Sequence, residues 1–206
     1  LTIERMKNID SEFLDASLDF IDRAHEEEKP FFVWFNSTRM HTWTHLKEES
    51  IGRSGVNVAA DGLLELDDQV GLLLDKLEEL KIDDNTIVIF SSDNGAQIAL
   101  WPDGGITPFR NQKGTTWEGG HRVPLLVRWP GVFEPGTTIN DIFAQNDWMP
   151  ILMAAVGEPD LVEKCKEGYE ANGQTWKVHL DGYNFLPFFE GEETKGPRES
   201  YIYFDQ

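Results

Sequence analysis

Two neighbouring residues carry side chains of the kind that bind a metal ion. Asp93 and Asn94 stand side by side and are followed by Gly95, which lets the backbone turn sharply. A carboxylate beside an amide carbonyl offers two adjacent hard oxygen ligands, the type that Ca²⁺ or Mg²⁺ prefers. Asp-Asn-Gly is also a common turn sequence, so a plain loop is the alternative interpretation.

Lys113 is a candidate for binding an anion, and two histidines are candidates for a functional role. Lys113 lies in a loop of basic, hydroxyl and glycine residues, where an ammonium group would neutralise an oxygen of sulfate or phosphate. His41 and His45 are four positions apart, which on a helix would place both imidazoles on one face. Without a third ligand two histidines make a poor metal site, so hydrogen-bonded structural histidines and a solvated surface lysine are the alternatives.

Hydrophobic patterns predict the elements that position these residues. Apolar residues three or four positions apart predict a surface helix over residues 10–28, with Asp10 or Ser11 as its N-cap, and a second helix over residues 62–80. Continuous apolar runs predict strands that are buried on both faces, at residues 31–35, 86–90 and 123–127.

The rest of the chain continues this alternation. A turn is predicted at residues 83–85, a short helix at residues 147–156 that stops at Gly157, and a late strand at residues 201–204. Alternating strands and helices predict an α/β fold with a largely parallel sheet sandwiched between helices. In such sheets ligands bind beyond the carboxyl ends of the strands, where residues 36–45 and 91–95 lie.

Composition narrows the class of protein. The chain has 206 residues and a formal net charge of -19, which opposes nonspecific binding to nucleic acid or to anionic lipid. Its best membrane candidate, residues 148–156, is too short to span a bilayer and contains Pro150. The single cysteine, Cys165, excludes an intrachain disulfide, and its sequence context indicates a buried or incidental thiol.

Four segments together resemble the sulfatase branch of the alkaline-phosphatase-like superfamily, and most closely its bacterial arylsulfatases. The order and spacing of these segments carry the resemblance: residues 30–42 (PFFVWFNSTRMHT), 66–71 (LDDQVG), 86–95 (TIVIFSSDNG) and 113–124 (KGTTWEGGHRVP). The resemblance implies that residues 1–160 are part of a catalytic domain and that residues 161–206 begin a truncated C-terminal region. It also implies a fold that is incomplete at the N-terminus and at the C-terminus.

The resemblance assigns roles to single residues. Asp93 and Asn94 match two calcium ligands of the family, with Mg²⁺ the less expected ion. Lys113 and His41 match its sulfate-binding lysine and histidine. His45 has no general counterpart and is a candidate for contact with the substrate, with a structural role as the alternative. The expected substrate is a small-molecule or glycan sulfate ester.

The chain departs from the family pattern at the nucleophile. The family oxidises a Cys or Ser in a Cys/Ser-x-Pro-x-Arg motif to formylglycine, and no such motif occurs here. Residues 106–110 imitate its spacing, but Ile106 occupies the nucleophile position and cannot be oxidised to an aldehyde. The nucleophile is therefore expected from a segment upstream of Leu1, and the fragment itself is expected to be inactive.

Two other functions remain open on the sequence. One is a phosphomonoesterase or phosphodiesterase of the same superfamily, although relatives of that kind tend to carry His at the position of Asn94. The other is a noncatalytic binding or scaffold protein that keeps the fold. The sequence leaves the oligomeric state and the localisation undetermined, and the resemblance favours a periplasmic or secreted location. Trp43 and Trp101 are candidates for stacking on a substrate ring, with core aromatics as the alternative.

Overall fold

The computed structural model describes residues 2–203, which fall into two compact units. The first unit extends to Val127 and the second begins at Arg128. The predicted domain division at residue 160 stays a prediction. In the described part of the chain, no helix is long and apolar enough to cross a membrane.

Two long helices form the framework of the first unit. Helix α1 spans Ile3–Glu26 and helix α2 spans Val58–Glu79, and the two pack against each other. The Thr2 hydroxyl and the Asn57 side chain cap their first turns. Burial of Leu14, Ile21 and Leu77 supplies the core, at about 1.5–3 kcal/mol for each side chain. The spacing of apolar residues thus predicted both helices.

The predicted start of the first helix is wrong. Helix α1 begins at Ile3 with Thr2 as N-cap, so Asp10 lies inside the helix and not at its end. Asp10 is fully buried. Its carboxylate faces the loop that follows residue 36, where it accepts hydrogen bonds from Ser37 and Thr38. A polar residue within an apolar helical pattern can cap a helix or bind a neighbouring loop, and here the second applies.

Two strands pair in the first sheet, and the strand predictions located both. Strand β1 is Val88–Ser91 and strand β2 is Leu125–Arg128. The short helix α3, Glu118–His121, precedes β2. The expectation that both strands are buried on both faces is wrong, since Leu126 is 67% exposed. Strand β1 is half-buried along its whole length. The largely parallel sheet stays a prediction.

The predicted strand at residues 31–35 is also wrong for the described chain. These residues belong to no strand among residues 2–203, although exposed and half-buried residues alternate along the segment. Phe32 and Trp34 are 69% and 78% exposed, while Phe31, Val33 and Phe35 are half-buried. This alternation has the period of two that a strand would have. Composition indicated a strand here but does not determine the pairing, which requires a neighbouring strand.

The second unit contains short elements and an aromatic core. Its helices are α4 (Trp148–Ala155), α5 (Leu161–Glu167) and α6 (Leu186–Phe189), and its strands β3 (Tyr169–Ala171) and β4 (Gln174–Trp176) form an antiparallel hairpin. Phe143 packs edge-on against Trp148 and Phe185. Cys165 is buried, as predicted. The predicted late strand is absent over residues 201–203, and Phe204 lies outside the described residues.

Short turns of 3₁₀-helix connect these elements. They lie at Glu48–Ser50, Asp83–Asn85 and Pro102–Gly104 in the first unit and at Gln145–Asp147 in the second. The second of them confirms the predicted turn at residues 83–85. The predicted helix at residues 147–156 is confirmed as α4. Gly157 ends it, with a positive φ of 94° and a hydrogen bond from its N–H to the Ala154 carbonyl.

Candidate functional site

The Asp93-Asn94-Gly95 turn lies one residue beyond the end of strand β1. Asp93 is exposed and Asn94 is half-buried. In the described part of the chain, the Ser92 hydroxyl closes this turn by donating a hydrogen bond of 3.1 Å to the Asn94 carbonyl. The turn is therefore shaped without the Asp93 carboxylate, whose oxygens lie at the surface.

The loop that carries Lys113 is hydrogen-bonded to this turn. The Lys113 N–H donates to the Ala96 carbonyl at 2.9 Å, and the Gly95 N–H donates to the Gly120 carbonyl at the same distance. Lys113 itself is half-buried. Asp93, Asn94 and Lys113 thus lie on two loops that are directly joined by backbone hydrogen bonds.

Three glycines allow these two loops to approach so closely. A Cβ on Gly95 would lie 1.9 Å from the Gly119 carbonyl oxygen, and a Cβ on Gly119 would lie 2.1 Å from the Asn111 carbonyl oxygen. A Cβ on Gly120 would lie 2.4 Å from the Thr115 carbonyl oxygen. These distances are far below van der Waals contact. The sequence reasoning treated Gly119 and Gly120 only as loop features, although adjacent glycines are a signal of close backbone approach.

Two guanidinium groups lie over aromatic rings in the same loop. Arg110 lies 3.8 Å from the centroid of a Trp117 ring, and Arg122 lies 4.3 Å from that of Phe109. Arg122 also pairs with Glu118 at 3.2 Å. In a chain of net charge -19, this loop therefore concentrates positive charge beside Lys113.

His41 is exposed and lies on a different loop of the first unit. Its Nδ1 lies 3.0 Å from the Thr42 carbonyl oxygen. A carbonyl oxygen only accepts, so this hydrogen bond requires a proton on Nδ1. Nε2 then donates to an anion only when the imidazole is protonated.

The backbone around His41 adopts an unusual conformation. Met40 and Trp43 both have a φ of 67°, in the left-handed region that side chains other than glycine rarely adopt. Each such residue costs on the order of 1–3 kcal/mol and persists only where the surroundings enforce it. Gly62 of α2 faces this loop, since a Cβ there would lie 3.6 Å from the Met40 sulfur.

Asp10 of α1 provides part of that enforcement. Its carboxylate accepts hydrogen bonds from the Thr38 N–H at 2.9 Å, the Arg39 N–H at 3.2 Å and the Ser37 hydroxyl at 2.5 Å. Three consecutive residues just before His41 therefore bind one fully buried side chain. The sequence reasoning missed this role because it placed Asp10 at a helix end.

Arg39 connects the same loop to both long helices. Its buried guanidinium donates to the Glu65 carboxylate of α2 and, at 2.8 Å, to the Lys7 carbonyl of α1. It also lies 3.6 Å from Asp10. Arg39 was not singled out from the sequence, where it reads as one basic residue in a polar loop. Its position two residues before His41 gave no indication that its side chain is buried.

His45 and the two tryptophans occupy different environments. His45 is half-buried and its predicted contact with the substrate stays a prediction. Trp43 is 82% exposed, so it is not a core aromatic of this chain. Trp101 is half-buried at the Pro102–Gly104 turn, which the Asn57 side chain anchors through a 3.1 Å hydrogen bond to the Asp103 carbonyl.

A second aspartate, Asp61, holds the loop between residues 50 and 54. Asp61 of α2 accepts hydrogen bonds from the Gly52 N–H at 2.7 Å, the Ser54 N–H at 2.8 Å and the Ser54 hydroxyl at 2.7 Å. The Ser54 hydroxyl, followed by the two N–H groups, lowers the pKa of the Asp61 carboxyl. Nearby, the Arg53 guanidinium lowers the pKa of Asp68.

Asp93 and Asn94 supply oxygen donors of the kind that suit calcium. Calcium takes six to eight oxygen ligands, and two side chains provide only part of such a shell. Among residues 2–203, no group of three or more His, Cys, Asp or Glu side chains is arranged to hold a metal ion. The two residues therefore fit calcium as part of a site. The roles of Asp93, Asn94, His41, Lys113 and His45 stay predictions.

Comparison with known proteins identifies the family. The sequence profile described as Sulfatase matches residues 2–158. The chain therefore belongs to the sulfatase family, as the sequence motifs predicted. It is 30% identical over 200 residues to Arylsulfatase A from Homo sapiens, covering 97% of this chain and 36% of that protein.

Two further relatives extend the comparison. N-acetylgalactosamine-6-sulfatase from Homo sapiens is 34% identical over 182 residues, covering 87% of this chain and 32% of that protein. The crystal structure of PsFucS1 sulfatase from Pseudoalteromonas sp. superposes with a TM-score of 0.83 and 30% identity, covering 96% of this chain and 37% of that one. The chain spans about a third of the length of the curated relatives it matches.

Proposed function

We propose that the whole protein hydrolyses sulfate monoesters and that this chain contributes the residues that bind the sulfate group. Membership of the sulfatase family supports the class of reaction. The observation that supports the proposal is the backbone hydrogen bond of 2.9 Å from Lys113 to Ala96, which joins the Lys113 loop to the segment that follows the Asp93-Asn94-Gly95 turn. A cation and hard oxygen donors on joined loops suit a tetrahedral anion together with a divalent metal ion.

Lys113 and His41 are proposed to bind sulfate oxygens. Lys113 is half-buried as a residue, and a charge at the edge of the protein attracts an anion more strongly than one in bulk water. His41 would add a second donor through Nε2 when its imidazole is protonated. Donors fixed in place before the reaction stabilise the charge that develops in the transition state. His41 in the protonated form is also proposed to aid departure of the leaving group.

Asp93 and Asn94 are proposed to hold a calcium ion, with magnesium as the less favoured ion. The ion would polarise a sulfate oxygen and withdraw charge from sulfur. The remaining ligands and a formylglycine nucleophile are proposed to come from other parts of the whole protein. The 206 residues by themselves are therefore expected to be inactive. We further infer that β1 and β2 belong to a larger, mainly parallel sheet.

The substrate is proposed to be a small-molecule or glycan sulfate ester. The relatives named above are called an arylsulfatase and an N-acetylgalactosamine-6-sulfatase, so both ring types occur among similar proteins. The exposed Trp43 is proposed as a surface on which such a ring stacks. A phosphate ester is the weaker candidate because Asn94 follows Asp93, and an amide supplies a neutral ligand to a single metal ion.

Replacement of Lys113 tests the proposal. In the whole protein, Lys113→Ala is expected to lower kcat/KM for an aryl sulfate by about 10²–10³-fold, the effect of removing one oxyanion donor. Lys166→Ala is the matched control, because Lys166 is an exposed lysine that pairs with Glu163. Initial rates for an aryl sulfate and for the matching aryl phosphate measure both substrates. Wild-type sulfate hydrolysis by Lys113→Ala contradicts the assignment, and faster phosphate than sulfate hydrolysis contradicts the substrate class.

A further inference from the structure

We propose that Asp10, Ser37 and Arg39 are positioning residues that set the place of His41. They act through the backbone of residues 37–41 and do not touch the substrate. The inference rests on the proposed function, in which His41 binds the sulfate group. It adds a second set of residues on which hydrolysis depends, located in the interior and not at the surface.

The bonding pattern of Asp10 restrains direction as well as distance. Its two carboxylate oxygens accept from the Ser37 hydroxyl, the Thr38 N–H and the Arg39 N–H. Successive N–H groups that converge on one rigid carboxylate fix the orientation of two peptide planes. The chain direction two residues before His41 is thereby set by a side chain of α1.

Arg39 fixes the same loop relative to the second long helix. Its guanidinium joins the Glu65 carboxylate of α2 and the Lys7 carbonyl of α1, and it is buried throughout. The planar guanidinium has donors in a fixed arrangement, so both bonds are satisfied in one position of the loop. The loop is thus held from two helices that pack on each other.

The backbone at His41 requires such external restraint. Met40 and Trp43 both lie in the left-handed region, and His41 between them is exposed. An exposed residue gains little from packing, so burial does not hold its imidazole in place. The hydrogen bonds of residues 37–39 are the nearest fixed points on its N-terminal side.

Two serines of the first unit provide a matched test in the whole protein. The Ser37 hydroxyl donates to Asp10 at 2.5 Å, and the Ser54 hydroxyl donates to Asp61 at 2.7 Å. Both serines are half-buried and both bind an aspartate of a long helix, but only Ser37 lies on the His41 loop. The variants are Ser37→Ala, Ser54→Ala, His41→Ala and the doubles of each serine with His41. For each, kcat and KM for an aryl sulfate and the melting temperature are measured.

The expected pattern is a kinetic effect that depends on His41. Ser37→Ala is expected to lower kcat about tenfold in the wild-type background, since small misplacements of a binding group reduce rates strongly. It is expected to have no further effect when His41 is already Ala, because residues that act as a unit are not additive. Ser54→Ala is expected to change kcat less than twofold in both backgrounds. Its shift in melting temperature is expected to be similar to that of Ser37→Ala.

Two results would overturn the inference, and they are distinguishable. Equal losses of kcat from Ser37→Ala with and without His41 would show that the Ser37 bond does not act through His41, while the proposed function stands. Wild-type rates for His41→Ala would contradict the role of His41 in the proposed function and remove the positioning role with it. Because Ser37→Ala removes one hydroxyl from a half-buried site, it keeps the test readable even where Asp10→Asn fails to fold.

Discussion

Two loops of the first unit carry the residues predicted to bind sulfate, and different forces hold them. The His41 loop is held by buried charge: Asp10 and Arg39 bind it to α1 and α2. The Lys113 loop is held by backbone hydrogen bonds and by glycines that leave no room for a side chain. The first loop should therefore be sensitive to loss of a partner charge, and the second to added volume.

Removal of the Asp10 carboxylate should give the largest effect. Asp10→Ala leaves the Arg39 guanidinium buried with one partner fewer and removes the acceptor of two backbone N–H groups. Breaking a buried pair in this way costs about 3–5 kcal/mol. Chemical denaturation followed by tryptophan fluorescence measures the change in the free energy of unfolding.

A charge at the surface provides the comparison for Asp10. Asp68 pairs with Arg53 at 2.5 Å in a largely exposed position, and surface pairs contribute about 0–1 kcal/mol. If Asp68→Ala destabilised the protein as much as Asp10→Ala, burial would not explain why Asp10 and Arg39 hold the His41 loop strongly.

Added volume should break the other loop. Gly119→Ala places a Cβ 2.1 Å from the Asn111 carbonyl oxygen, so the backbone must shift. Such overpacking costs about 1–3 kcal/mol and is expected to lower sulfate hydrolysis by displacing Lys113. Unfolding curves and initial rates on the same samples measure the two effects.

Gly71 is the matched control for Gly119. It lies inside α2 with no atom within 4 Å of an added Cβ. Gly71→Ala is therefore expected to stabilise the protein by about 0.5–1 kcal/mol through the helix preference of alanine. A loss of stability from Gly71→Ala equal to that from Gly119→Ala would indicate that alanine at either position acts through a cause other than close backbone approach.

Acid should weaken the loop at residues 50–54, which the Asp61 carboxylate holds, and this is the smallest of the expected effects. The pKa of Asp61 is lowered, first by the Ser54 hydroxyl, so its contribution to stability is complete above the ordinary value of about 3.9. That contribution is lost as the pH falls through the lower pKa of the folded state. The difference in melting temperature between wild type and Asp61→Asn should shrink as the pH falls from 7 to 3.

The glycine loop provides the contrast for this pH series. The cost of Gly119→Ala is steric, so it should stay constant over the same range of pH. A cost for Gly119→Ala that changed with pH as much as that for Asp61→Asn would contradict the division into charge-held and glycine-held loops.

Local patterns in the sequence predicted elements that form within a few residues of one another. The helical spacing located α1 and α2, and apolar runs located β1 and β2. Their predicted ends lie within a few residues of the observed ones, except for the start of α1. The hairpin of β3 and β4 was missed, although Asn172-Gly173 between its strands is a strong signal for a tight turn. Both residues have positive φ values, 52° and 72°, as that turn requires.

Features that depend on distant parts of the chain were not predictable in the same way. Asp10 looks like a helix cap from its neighbours alone, and only its contact with Thr38, 28 residues away, shows its role. Phe31 to Phe35 has the composition of a buried strand, but pairing depends on a neighbour that composition does not identify. The family motifs named the candidate site residues, whereas the side chains that fix their loops followed only from the three-dimensional structure.

The hairpin of β3 and β4 also indicates which strand pair forms first during folding. Its strands meet across a turn of two residues, and hairpins of this kind form in about 1–10 μs. Strands β1 and β2 are separated by roughly thirty residues, so their pairing waits for closure of a much longer loop. During folding, strand order should therefore arise first near residues 169–176, far along the chain from the groups that would meet the substrate.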